Sequence, residues 1–190
     1  MDNILALHIE TTGFNSYNDE IIAIALCSCD KNFNINRTAL LYRKGVDEKK
    51  LKQSYKFNKL SINFLNENGL EEEEFVEELV SFIIHNFDLN ETIHLLGYNL
   101  VTFGHPFLTS LFNKHGINLD ISPNTLDAYT LASTLLSDQL IGNVTIKNLV
   151  DVFCKEDCVK EEQVMKKCIT FVNIFKQVKK VWNKKVLKNK

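Results

Sequence analysis

The stretch LALHIETTGF, residues 5–14, is an apolar strand pattern that ends in two polar side chains and a turn. His8 and Glu10 are two residues apart, and residues at this spacing on a β-strand share one face. The Thr-Thr-Gly that follows breaks the strand pattern. The arrangement is typical of one half of a metal site at a strand end, with a histidine where an acidic residue would be expected.

The length and composition predict one globular domain over residues 1–190. The chain is 45% hydrophobic and 24% charged, which is enough to bury one sizeable core. It lacks the run of about 18 apolar residues that a membrane span needs, and its first residues do not resemble a secretory leader. We therefore expect a cytoplasmic protein with no membrane contact. The five cysteines lack zinc-ligand spacing, which favours reduced and mostly buried thiols.

The hydrophobic pattern predicts a hairpin-bearing set of strands, followed by an alternation of helices and strands. Strands are expected at residues 3–9, 20–30, 37–43, 92–97 and 124–127, the second and third forming a hairpin. Helices are expected at residues 57–70 (irregular, with a turn), 71–87, 105–115, 128–137, 145–153 and 162–187. This order predicts a mixed sheet that is covered by helices on both faces.

The last predicted helix has a basic end at residues 176–190. Its apolar residues recur at helical spacing, while seven lysines and no acidic residues occupy this segment. Because the whole chain has a net charge of −2, the remainder of the chain is acidic. The simpler interpretation is a solvated helix end, and the alternative is a contact with nucleic acid or an acidic partner.

Four segments resemble, in order, the motifs of the DEDDh 3′–5′ exonucleases, the proofreading branch of the ribonuclease-H-like fold. They are HIETTGFNSYNDEIIAIAL (residues 8–26), GYNLVTFGHPFL (97–108), LDAYTLA (126–132) and EQVMKKCITFVNIF (162–175). The resemblance runs from about residue 4 to residue 176. It implies a three-layer α/β/α domain whose five-stranded mixed sheet has one antiparallel strand and helices on both faces.

Exonucleases of this family hydrolyse phosphodiesters with two divalent metal ions, which are held by four carboxylates, while a histidine takes a proton from the attacking water. The resemblance places His8 and Glu10 at the first two acids, Gly104 at the third and Lys167 at the fourth, and it places Glu162 at the histidine. Only Glu10 retains a carboxylate, so any metal contact is confined to Glu10 and His8. A lysine about 4 Å from a dication is unfavourable by about 8 kcal/mol at an effective dielectric constant near 20. Lys167 could instead pair with Glu10 and replace the charge of a metal ion.

The second motif contains one more residue than the family pattern between Asn99 and Gly104. An alignment without this extra residue places Phe103 at the position of the acid, which is no better suited to a metal ion. Neither alignment restores the third carboxylate.

The resemblance with these substitutions implies a degenerate exonuclease, which keeps the fold, has lost hydrolysis and has no metal cofactor. Such a domain would act by binding the 3′ end of a single-stranded nucleic acid, or by binding a protein partner. Backbone contacts and base stacking need no metal. The expected nucleic-acid contacts are Thr11, Thr12, Phe14, Tyr98, Asn99 and Phe103.

The alternative is an active metal-dependent 3′–5′ exonuclease with a remodelled site. His8, Glu10, His105 and Glu162, or its neighbour Glu161, would then bind Mg²⁺ or Mn²⁺, or Zn²⁺. His105 directly follows the third acid position, but neighbouring positions on a helix point about 100° apart. A surface or capping role for His105 is therefore the favoured interpretation.

Overall fold

The computed structural model describes residues 3–135, 145 and 163–188. The strands are β1 (Ile4–Thr11), β2 (Ile21–Cys29), β3 (Ile35–Tyr42), β4 (His94–Gly97) and β5 (Leu126–Asp127). The helices are α1 (Glu48–Asn58), α2 (Ile62–Asn68), α3 (Glu72–Asn86), α4 (His105–Lys114), α5 (Ala128–Leu135) and α6 (Gln163–Lys188), and a π-helix at Leu100–Gly104 runs directly into α4. Several predicted features lie outside the described residues: residues 146–153 of the helix expected at 145–153, the glutamates Glu161 and Glu162, and the cysteines Cys154 and Cys158.

The five strands form one mixed sheet in the order β3-β2-β1-β4-β5. β2 is antiparallel to its neighbours β1 and β3, whereas β4 is parallel to both β1 and β5. β2 is therefore the one antiparallel strand of this sheet, and the predicted β2–β3 hairpin is confirmed. Its ladder runs from Ala23 opposite Tyr42 to Cys29 opposite Ile35.

The side chains of β1 alternate between the two faces of the sheet, as expected for a strand. Ile4 and Ala6 belong to the core under α6, whereas Leu5 and Leu7 belong to the core under α3 and α4. Helices cover both of these clusters of buried apolar side chains, so the prediction of helices on both faces is confirmed. The same alternation places the next two even-numbered residues of β1, the histidine and glutamate of the opening stretch, on the face toward α6.

Helix α6 packs its apolar stripe against the centre of the sheet. Phe171 is fully buried, and burial of a side chain of this size contributes about 1.5–3 kcal/mol to folding. The sulfur atoms of Cys27 in β2 and Cys168 in α6 are 3.6 Å apart. The three described cysteines are free and buried, as predicted, and burial raises the pKa of Cys29 to about 12.

The region after β3 differs from the prediction of one irregular helix at residues 57–70. Helix α1 ends at Asn58, and Lys59 adopts a left-handed conformation with φ 60°. The side chain of Ser61 then accepts a hydrogen bond from the backbone N–H of Phe64 and starts α2. The capping residue, rather than the hydrophobic pattern, divides this region into two helices. None of the described helices is long and apolar enough to span a lipid bilayer.

Candidate nucleic-acid groove

A cavity of about 490 Å³ lies at the carboxyl end of β1, between α1, the π-helix and α6. We call it the β1 groove. All six residues predicted to contact nucleic acid line this groove. Four of the five family catalytic positions also line it, namely His8, Glu10, Gly104 and Lys167. The fifth, Glu162, lies outside the described residues.

Glu10 is held between a lysine and a histidine on the floor of the groove. Its Oε1 atom is 2.5 Å from Nζ of Lys167 and 3.0 Å from Nε2 of His8. Lys167 lies four residues before Phe171 on the same face of α6, and the Phe171 ring packs edge-on against His8 with 5.7 Å between ring centroids. The packing of α6 on β1 therefore brings the ammonium onto the carboxylate, which is the pairing that the sequence hypothesis proposed.

This environment sets the protonation of both acid–base groups on β1. Burial alone would raise the pKa of Glu10, but the hydrogen bond from His8 and the attraction of His8 and Lys167 outweigh it and lower the pKa. Burial lowers the pKa of His8 more than the nearby carboxylate raises it. His8 is therefore neutral at neutral pH and donates its Nε2 proton to Glu10, while the ammonium and the carboxylate balance each other in charge.

The residues at the family's metal positions do not fit a pair of divalent cations. The only carboxylate among them in the described part of the chain, Glu10, already accepts hydrogen bonds from an ammonium and an imidazole. Gly104 supplies no ligand, and a Cβ atom there would lie 2.7 Å from Cδ2 of Leu100. An ammonium bound to the carboxylate repels any cation that approaches the same oxygen atoms.

The remodelled metal site of the alternative hypothesis is not assembled by its described members. His105 is the first residue of α4 and does not line the groove. Within residues 3–135, 145 and 163–188, no three histidine, cysteine, aspartate or glutamate side chains are grouped to hold a metal ion. The described members of the alternative site therefore do not come together, and the favoured interpretation of His105 as a surface or capping residue agrees with its place outside the groove.

The extra residue of the second motif lies where the π-helix forms. The N–H of His105 donates to the carbonyl of Leu100, five residues earlier, which is the hydrogen bond that defines a π-helix. Asn99 precedes it in a left-handed conformation (φ 54°, ψ 40°). Asp127 of the third motif fixes the start, because its carboxylate accepts a 2.6 Å hydrogen bond from the N–H of Leu100. A wider helical turn thus accommodates the additional residue beside the groove.

Two exposed phenylalanines and one partly buried phenylalanine line the groove together and contact one another. The Phe14 ring lies 5.8 Å from Phe57 and 6.2 Å from Phe103, measured between centroids. Phe14 is 76% exposed and Phe57 is 61% exposed. Nζ of Lys56 lies 4.8 Å from the Phe57 centroid, in cation–π range. We call Phe14, Phe57 and Phe103 the aromatic wall.

The other predicted contact residues already have partners within the protein. The Thr11 hydroxyl donates to the backbone carbonyl of the turn glycine at 2.5 Å. The Thr12 hydroxyl accepts at 3.0 Å from the backbone N–H of the residue just before β2. The side-chain carbonyl of Asn99 accepts from a threonine of the π-helix, and Tyr98 stacks on an α6 phenylalanine at 5.8 Å. These four residues shape the groove, whereas Phe14 presents an uncovered ring.

Sequence reasoning missed the wall supplied by α1. Asn58 holds this helix against the end of β1, since its side-chain amide donates to the carbonyl of Thr11 at 3.3 Å and to the hydroxyl of Ser54 at 3.1 Å. Lys56 and Phe57 line the groove because of this contact. The sequence signal is an exposed Lys-Phe pair at a helix end, which is not distinctive without the fold.

A second set of ion pairs lies outside the β1 groove. Arg43 is buried, and its guanidinium contacts Glu20 at 2.6 Å and Glu72 at 3.0 Å. Glu72 also accepts from Nζ of Lys114 at 2.5 Å. Burial would raise the pKa of Glu72, but its hydrogen bonds and the nearby cations outweigh that effect and lower it. This cluster ties the end of β3 and the start of β2 to α3.

No protein-family model and no curated protein matches the chain, whereas solved structures do. The structure is similar to E. coli exonuclease I in complex with a dT13 oligonucleotide, with 17% sequence identity and a TM-score of 0.73 over 93% of this chain and 40% of that chain. The complex with a dA16 oligonucleotide gives 17% identity and a TM-score of 0.71 over 93% of this chain and 40% of that chain. A structure of exonuclease I concerned with processivity gives 17% identity and a TM-score of 0.73 at the same coverage.

This chain therefore spans 40% of the length of the exonuclease I chains that it matches. At this level of identity the similarity concerns the fold. The mixed five-stranded sheet with helices on both faces is the ribonuclease-H-like, exonuclease-like fold that the sequence predicted.

Proposed function

We propose that this chain is a pseudo-exonuclease, which binds the 3′ end of a single-stranded nucleic acid in the β1 groove and does not hydrolyse it. The observation that carries the proposal is the ion pair between Lys167 and Glu10 on the groove floor. It supports the loss of DEDDh-type chemistry, because a fixed positive charge lies at a position that the family gives to a metal-binding acid.

The charge count supports the absence of hydrolysis. Two-metal hydrolysis needs two dications about 3.5–4 Å apart, which stabilise the attacking and the leaving oxygen atoms. The described family positions offer one carboxylate, one neutral imidazole, one glycine and one ammonium. Their summed charge is zero, so nothing at these positions compensates four positive charges. We therefore propose that the chain uses no metal cofactor.

The groove itself supports nucleic acid as the ligand. Exposed phenylalanine rings offer stacking surfaces of about 1–3 kcal/mol per base, and stacking tolerates any base sequence. Lys56 and Lys167 line the same cavity and offer contacts to phosphates. The similar exonuclease I structures contain the single-stranded oligonucleotides dT13 and dA16.

A cleavage assay tests the loss of activity. A single-stranded dT13 oligonucleotide labelled at its 5′ end is incubated with the purified full chain in Mg²⁺ and then in Mn²⁺, and its length is followed on a denaturing gel. We expect the oligonucleotide to keep its length. Shortening that disappears in Glu10→Ala would contradict the proposal and establish the metal-dependent exonuclease instead.

A binding assay tests the ligand with a matched pair of variants. Phe14→Ala removes an exposed ring that lines the groove, whereas Tyr17→Ala removes an exposed ring of the same loop that does not line it. We expect Phe14→Ala to weaken the binding of labelled dT13 and Tyr17→Ala to leave it unchanged, measured by fluorescence anisotropy. Absence of binding to both DNA and RNA single strands at low salt would contradict the proposal and favour a protein partner.

A further inference from the structure

We propose that Lys167 is a built-in cation that binds a backbone phosphate of the ligand in place of metal ions, with Glu10 as its resident counter-ion. This inference rests on the proposed function, since it assigns one specific contact within the same groove. It goes further in predicting that binding needs no divalent cation and depends on this single lysine.

The exposure of the two partners favours an anionic ligand. The Lys167 side chain is 26% exposed, while the Glu10 side chain is 13% exposed. An ammonium has three N–H donors, and a single contact with Glu10 uses one of them. The lysine is therefore the more exposed member of the pair, which favours a contact with an anionic phosphate over one with a cation.

The groups around Lys167 make the charge of the groove floor suitable for binding a phosphate. Nε2 of His8 lies 3.0 Å from the carboxylate of Glu10 and helps to hold it on the groove floor. Without Lys167, the carboxylate of Glu10 would be the dominant charge of the groove floor and would repel a phosphate. With Lys167, the carboxylate instead orients the ammonium and keeps it in one geometry. One lysine thus converts a cation-binding position into an anion-binding position.

The aromatic wall supplies a second kind of contact, base stacking, in the same groove. Phe14 and Phe57 line the cavity that Lys167 also lines, and Lys56 lies beside Phe57. A base stacked on the aromatic wall and a phosphate at Lys167 would together engage one nucleotide unit of a single strand. Free inorganic phosphate lacks the stacking half and should bind far more weakly than an oligonucleotide.

The test is the anisotropy of 5′-labelled dT13 with the full chain, measured in Mg²⁺ and in excess EDTA. We expect the two dissociation constants to agree within twofold for the wild type. Lys167→Met should weaken binding roughly tenfold or more, as expected for the loss of a charge-assisted hydrogen bond. It should also reduce the slope of log K against log salt by about 0.7, the value for one phosphate contact on a single strand.

Lys114→Met is the matched control. Its ammonium has the same 2.5 Å contact with a glutamate and lies outside the β1 groove, so we expect unchanged binding and an unchanged salt slope. The double variant Lys167→Met/Glu10→Gln removes both charges and leaves no unpaired carboxylate. It should fold, as judged by circular dichroism, and should still bind weakly, because the phosphate has lost its cation.

The outcomes separate the two proposals. Wild-type binding that Lys167→Met leaves unchanged, or that EDTA abolishes, would overturn the role of Lys167 and leave the binding function in place. Full recovery of binding in the double variant would also overturn it, since repulsion by Glu10 would then explain the single variant. No binding of dT13 by the wild type would overturn both proposals.

Discussion

Replacing Glu10 with glutamine removes one charge from the groove floor and retains the size of the side chain. Glu10 accepts hydrogen bonds from Lys167 and His8, and only the first of these partners is charged at neutral pH. The amide oxygen can still accept both hydrogen bonds, but the neutral amide leaves the ammonium without a counter-ion. The variant therefore measures what the ion pair contributes to folding.

The magnitude follows from the geometry and exposure of the pair. Two unit charges about 4 Å apart attract by about 4 kcal/mol at an effective dielectric constant of 20, before desolvation is subtracted. Removing one partner of a fully buried pair costs about 3–5 kcal/mol. Because Lys167 is 26% exposed and recovers part of its hydration, we expect Glu10→Gln to lower the free energy of unfolding by about 2 kcal/mol.

Urea denaturation followed by circular dichroism at pH 7 checks this value. The exposed pair of Glu48 and Lys52 in α1, whose charged atoms are 3.8 Å apart, supplies the control. Glu48→Gln should change the free energy of unfolding by less than about 0.5 kcal/mol. A double-mutant cycle of Glu10→Gln with Lys167→Met should give a coupling energy of at least about 1 kcal/mol.

A Glu10→Gln variant as stable as the wild type would refute the reasoning, because the pair would then contribute nothing to folding. Strictly additive effects in the cycle would refute it as well. Either result would mean that the ammonium and the carboxylate do not interact in solution, and the proposed phosphate contact would lose its counter-ion.

Four further outcomes are expected. The free energy of unfolding should fall on acidification. The pKa of His8 is lowered in the folded protein, so below about pH 6.5 the unfolded chain takes up this proton first, and the lowered pKa of Glu10 adds a further loss of stability below about pH 4.5. Urea midpoints between pH 7 and pH 4 measure both effects. Arg43→Met should destabilise the protein by about 3 kcal/mol, because two partly buried glutamates lose their shared partner, and thermal or urea unfolding would show it. Gly104→Asp should not restore cleavage of labelled dT13 and should cost about 1–3 kcal/mol of stability, since its Cβ crowds a leucine of the π-helix. Phe14→Ala should leave the urea midpoint unchanged, because the ring is 76% exposed.

Much of the fold could be predicted from periodicity alone. The alternation in β1 and the long apolar pattern of β2 are local signals, and the five-stranded mixed sheet with one antiparallel strand followed from the resemblance of the ordered motifs. Most of α1 precedes the helix that was expected at residues 57–70, and the break between α1 and α2 was missed because it depends on a serine cap and one left-handed residue, Lys59. A helix cap is determined by a single residue, whereas hydrophobic periodicity is read over a window of many residues and does not locate helix ends.

The residues of the groove that belong to the sequence motifs could be predicted. The residues that line it only through tertiary contacts could not. His8, Glu10 and Lys167 were expected at one site because the first and the fourth motif converge there, and the structure brings them together. Phe57 was missed, because an exposed phenylalanine at a helix end has no distinguishing neighbours in the sequence. Its place in the groove depends on Asn58, whose bond to β1 joins residues 47 positions apart.

The π-helix at Leu100–Gly104 makes the lining of the groove depend on the number of residues as well as on their identity. Removing any one of them would return the segment to an ordinary helical turn and rotate the preceding side chains by about 100° relative to α4. Substitutions leave the rotation of these side chains about the helix axis unchanged, whereas deletion of a single residue would shift it. The lining between Tyr98 and α4 is therefore sensitive to the length of this segment, and chains of the same fold that lack the additional residue should present a different side chain to the groove.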